Sequence, residues 1–192
     1  YSFEIINDYL IVVTNDGQFY IEKINNIINN NSDNVNFEKL NTNLHDLILP
    51  KHLVDSAISD IFVENGNIYI LAHERKNDCK IIYLLSGSFN LDSISFNKIF
   101  STKTIIECLT KDTNAGRIQI QKIDDKENLL ISFSNKAMNG EVHKKFSELE
   151  NESVSEFGNI LSINKKNKDF EIFASGFRNS LGLYVDGEVV LA

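Results

Sequence analysis

The chain contains no tryptophan, one methionine, one proline and two cysteines in 192 residues. Each scarcity narrows what the protein can be. A lone Pro50 and the lack of Trp argue against an array of WD-type repeats. Cys79 and Cys108 form no CxxC pair and have no His at zinc-like spacing, so a structural zinc site is not indicated. They read either as two independent buried thiols or as one structural disulfide. The disulfide would close a loop of about 30 residues, stabilise by about 3 kcal/mol, and imply an oxidising compartment. A positively charged face is also missing. The net charge is -8, and the Lys residues are interleaved with Asp and Glu. A nucleic-acid partner, which needs a basic surface to displace counterions, is therefore excluded. Anionic membrane surfaces are disfavoured on the same ground. No apolar run approaches the roughly 20 residues of a membrane-spanning helix, so no transmembrane segment is expected. There is no P-loop, GxGxxG, GxSxG nucleophile elbow or DxDxDG calcium loop.

What is present is a hydrophobic content of 42% with 24% charged residues, enough for a sizeable core in a single domain spanning 1–192. The chain starts at Tyr1 and ends within Val189-Val190-Leu191-Ala192, where an exposed terminus would more often be polar. A piece cut at both ends is the expectation.

The apolar pattern has period two almost throughout. Tyr9–Thr14 reads as a strand, Asn15-Asp16-Gly17 as a tight turn, and Gln18–Ile24 as the returning strand. The unit recurs as Ser59–Val63, a turn at Glu64-Asn65-Gly66-Asn67, and Ile68–His73, followed by strands at Cys79–Ser86 and Ile94–Phe100. It recurs again as Arg117–Gln121, a turn at Asp124–Asn128, Leu129–Phe133, Gly158–Asn164 and Phe170–Ala174. A fourth copy starts at Gly182–Val185, turns at Asp186-Gly187, and continues into Glu188–Leu191. The repeat of about 60 residues exceeds the roughly 40–50 typical of a propeller blade, with the excess in loops.

A single four-stranded unit cannot bury both of its faces, whereas copies stacked around an axis can. The expected fold class is therefore all-β: a six-bladed β-propeller present as a partial ring of roughly three blades. The blades fall at approximately 1–58, 59–112 and 113–180, with the next starting at 181–192. A β-sandwich is the alternative. An incomplete ring exposes apolar terminal faces, so self-association is expected.

Asn25–Asn43 is Asn-rich and reads as a long surface loop, with one helical turn at Ile24, Ile27 and Ile28. Residues 137–156 read as a polar insertion. Among the histidines, His143 reads as solvated, His73 as a strand-end residue near the rim, and His45 and His52 as structural or exposed. Asp124-Asp125 and Asp186-Gly187 are turn signals rather than an acid/base pair, and no metal-ligand set is evident.

Three stretches carry a resemblance. Asn114-Ala115-Gly116-Arg117-Ile118 is like a Gly-Gly-Arg-Ile blade entry. Phe157-Gly158-Asn159-Ile160-Leu161-Ser162-Ile163-Asn164 is like Gly-Lys-Ile-Leu-Arg-Ile. Ala174-Ser175-Gly176-Phe177-Arg178-Asn179-Ser180-Leu181-Gly182-Leu183 is like Gly-x-Arg-Asn-Pro-Gln-Gly-Leu. In order and spacing these resemble the soluble glucose/sorbosone dehydrogenase family, over residues 60–192. The resemblance implies a six-bladed propeller binding pyrroloquinoline quinone (PQQ) and calcium at the tunnel mouth, oxidation of sugars, and a periplasmic or extracellular location. It assigns Arg178 and Asn179 to quinone contact. A guanidinium is a planar, permanent cation suited to a quinone carbonyl or carboxylate. It would also stabilise negative charge arriving on the cofactor. Arg117 is expected to act structurally, by pairing within its blade.

The sequence departs from the family at telling positions. Thr113 occupies the place of the family's catalytic His, and threonine cannot take up a proton at neutral pH as imidazole can. Ser180-Leu181 replaces Pro-Gln, and Phe133-Ser134-Asn135 stands where Gly-Asp is found. The expected function is a glucose/sorbosone dehydrogenase-like propeller acting on a sugar with a quinone. The alternative is a non-catalytic propeller that serves as a binding or interaction module.

Overall fold

The computed structural model describes residues 1–29, 35–48, 58–76, 79–102, 115–123, 126–133, 158–177 and 182–192. Among them are fourteen strands and two short helices, and the fold is all-β. No helix among the described residues is long and apolar enough to cross a membrane. The chain divides into two compact units. One comprises Tyr1–Glu74 and Tyr83–Ile99, the other Arg75–Ile82 and Phe100–Ala192.

The first unit opens with β1 (Ser2–Ile6), β2 (Tyr9–Val13), β3 (Phe19–Lys23) and β4 (Glu38–Thr42). Each pairs antiparallel with the next. The β2–β3 turn forms as its residues require: Gly17 takes φ +78, and the Thr14 hydroxyl accepts the Gln18 amide at 3.0 Å. Alternation along the strands then separates two faces. Ile11, Val13, Phe19, Ile21 and Leu40 are buried on one.

Next come β5 (Ile58–Glu64), β6 (Asn67–Lys76), β7 (Cys79–Asn90) and β8 (Ser93–Ser101). Asn65 and Gly66 both have positive φ, +48 and +74, the backbone of a two-residue hairpin turn whose twist suits the flanking strands. The eight strands lie in the order β1-β2-β3-β4-β8-β7-β6-β5. β4 meets β8 in parallel, Asn41 opposite Ser93 and Thr42 opposite Ile94. The end strands β1 and β5 also lie against each other, so the sheet nearly closes on itself.

Asn43 extends the β4–β8 junction with its side chain. It donates to the Phe96 carbonyl at 3.0 Å and accepts the Phe96 amide at 2.7 Å, as a paired strand would. Phe96 in turn packs on Phe19, ring centroids 5.4 Å apart.

In the second unit, β9 (Ala115–Ile123), β10 (Lys126–Phe133), β11 (Asn159–Asn164) and β12 (Phe170–Ser175) form an antiparallel sheet. β13 (Tyr184–Asp186) and β14 (Val189–Leu191) form a hairpin across Gly187. Leu129, Leu130, Ile131 and Phe133 of β10 are all fully buried, which requires cover on both faces of the sheet. On one face, Phe100 sits 6.5 Å from Phe133 and 5.1 Å from Phe170. On the other, Leu183, Val185 and Val190 pack on Leu130 and Ile160.

Most strands fall where the period-two pattern puts them. The Asn25–Asn43 reading needs correction. The helical turn at Ile24 is present as α1 (Ile24–Asn29), but Glu38–Thr42 is a strand. Its only buried apolar residue is Leu40, so alternation is invisible there, and pairing with β3 and β8 makes the strand. β1 was not anticipated either. α2 (Leu44–Leu47) is a single turn that buries Leu44. His73 lies inside β6, only 2% exposed, rather than at the rim. Cys108 lies outside the described residues, as does the side chain of Cys79.

Gly87 of β7 leaves room for the core. A Cβ there would come within 2.7 Å of both Ile94 Cγ2 and Phe96 Cδ1. Gly87→Ala is expected to destabilise by about 1–3 kcal/mol, read as a lowered urea midpoint with unchanged slope. Asn43→Ala, which strands both backbone groups of Phe96, is expected to cost about 1–3 kcal/mol in the same measurement.

Candidate functional site

The described parts of the three stretches, residues 115–118, 158–164 and 174–177, lie on or at the end of the β9–β12 sheet. The first enters β9, where the Arg117 amide donates to the Ser132 hydroxyl at 3.0 Å. Ser132 is fully buried, and the β9–β10 register shifts there. This is a β-bulge, a device that re-aims a strand end. The described part of the second stretch runs from Gly158, with φ +74, into β11. The third ends β12 and leaves it through Gly176, with φ +95. The Phe177 amide then donates to the Gly158 carbonyl at 2.9 Å, tying the second stretch to the third.

Pairing places the corresponding strand ends together. Ala115 starts β9 opposite Phe133, the last residue of β10. Asn159 starts β11 opposite Ser175, the last residue of β12. Ser132 lies opposite Ile160, so all four strand ends share one end of the sheet. Thr113, Asn114, Arg178 and Asn179 lie outside the described residues. Thr113 precedes the start of β9 by two positions, and Arg178 follows the end of β12 by three. Phe177 and Leu183, on either side of the Arg178-Asn179 segment, pack into the same apolar cluster around Leu130 and Ile160. Both attachment points of that segment are therefore held by core contacts.

The opposite end of the sheet is a closed ionic turn. Glu127 accepts Lys165 at 2.6 Å and Lys122 at 3.1 Å. These hydrogen bonds, Lys165 first, hold its carboxyl below the ordinary carboxylate range. The Asn164 side chain accepts the amides of Lys166 and Asn167 at 2.9 and 3.2 Å, which fixes the β11–β12 turn.

In the first unit, sequence reasoning missed a set of buried polar groups. Ser59 Oγ and His73 Nε2 share a hydrogen bond. The Tyr83 hydroxyl donates to Glu74 Oε2 at 2.5 Å, and Lys98 Nζ stands 4.3 Å from the Tyr83 ring centroid. Asp60 is 4% exposed. The available signal was Ser-Asp and His-Glu interrupting apolar strand runs. The Ser59–His73 and Tyr83–Glu74 bonds offset part of the cost of burying these groups. His143 and His52 lie outside the described residues, and His45 Nε2 is 3.2 Å from Gln18 Nε2. Among the described residues, no group of three or more His, Cys, Asp or Glu is placed to hold a metal ion.

No protein-family model matches the sequence, and no curated protein matches it. Among solved structures, similarity is found to a chain of an S. cerevisiae complex of Dbp5 bound to Nup159, Gle1, IP6 and ADP. The TM-score is 0.38 at 12% identity, covering 86% of this chain and 39% of that one. Likeness at that level establishes neither a shared fold nor a shared function.

The Glu127 ion pairs make a pH-dependent contribution. The folded carboxyl has a lowered pKa, so its stabilising effect is present above the ordinary carboxylate range and is lost as pH falls through the lowered one. Glu127→Gln is expected to be less stable than the parent at neutral pH. The difference should shrink to nothing in strong acid and diminish in high salt. Denaturant midpoints of both proteins across a pH series check this.

Proposed function

We propose that the chain is a segment of a β-propeller of the soluble glucose/sorbosone dehydrogenase type, with roughly three blades and the start of another. We further propose that it binds a quinone-like ligand without oxidising sugar at this blade. The observation that carries the reading is the convergence of strand ends. The stretches bearing the resemblance lie on one four-stranded sheet, and the residues flanking Thr113 and Arg178-Asn179 leave it at the same end. Support also comes from the four-stranded antiparallel sheet β9–β12 and from the anchoring of Phe177 and Leu183.

In this reading Arg178 supplies the permanent positive charge and Asn179 the neutral hydrogen-bonding group for a carbonyl or carboxylate. Thr113 leaves the site without the imidazole that would take the sugar hydroxyl proton. Binding is thus retained and proton abstraction is not. PQQ is the ligand class that the resemblance indicates, with calcium as its companion ion and a periplasmic or extracellular setting.

The test is a fluorescence titration of the chain with PQQ, with and without calcium. Saturable binding is expected, weakened by about 10-fold or more in Arg178→Ala, since a charged hydrogen bond contributes roughly 1.5–3 kcal/mol. Absence of binding by the parent chain overturns the proposal. Sugar-dependent reduction of an artificial electron acceptor would replace it with the catalytic reading, in which another group supplies the base.

A further inference from the structure

We draw no further inference here: the strongest candidate, the cleft of the first unit lined by Tyr9, Glu22, Glu38 and Asp92 beside the β7–β8 turn, is a cluster of acidic side chains with nothing in the structure to show what it would bind.

Discussion

Strands that are apolar on both sides set the terms for this structure. In β10, consecutive residues Leu129, Leu130 and Ile131 are all fully buried. Successive side chains of a strand point to opposite faces, so no single cover suffices. Each such residue contributes roughly 1.5–3 kcal/mol only when it is removed from water. The sheet is accordingly covered twice, by Phe100 against Phe133 and Phe170 on one side, and by the hairpin residues Val185 and Val190 on the other. In β6 of the eight-stranded sheet the same holds for the consecutive buried residues Ile68, Tyr69, Ile70, Leu71 and Ala72.

Close packing of sheets leaves little tolerance for side-chain volume or for unpaired polar atoms. Gly87 exists where Phe96 needs space, and Phe96 is held in place by the Asn43 amide through its own backbone. Where polar residues enter the interior they do so as partners: Ser59 with His73, Tyr83 with Glu74, and Ser132 with the Arg117 amide. A buried group of this type is tolerated because its desolvation is offset by a hydrogen bond.

The candidate site follows from the way antiparallel pairing gathers strand ends. Stretches separated by more than forty residues in the chain, around Arg117 and Gly158, end up on one sheet, and the Phe177 amide closes the arrangement on Gly158. The ionic turn at Glu127 lies at the far end of the same strands, where Lys122 and Lys165 neutralise it. The two ends thus differ in character. One is a self-satisfied charged turn. The other is the end where Ala115 begins β9 and Ser175 ends β12.

Much of the fold was legible because period-two alternation and Asp-Gly or Asn-Gly turns are local properties. Tyr9–Val13 with Phe19–Lys23, and Val189–Leu191 after Gly187, could be read without knowing what they touch. The site was legible only as motifs; their convergence was not, since register and pairing lie outside local sequence. β4 shows the limit. Glu-Lys-Leu-Asn-Thr has one buried apolar residue, and it is a strand because β3 and β8 offer it hydrogen bonds. His73 shows the same limit for polar groups. Its place after an apolar run suggests a strand-end position near the rim, whereas the structure buries it within β6 with Ser59 of β5 as a partner. Sequence by itself determined the all-β class and the turn positions, because side-chain alternation and positive-φ residues act within a few positions. Only the tertiary structure decided which faces are covered, which polar groups are paired and which strand ends meet, because those outcomes depend on contacts between segments far apart in the chain.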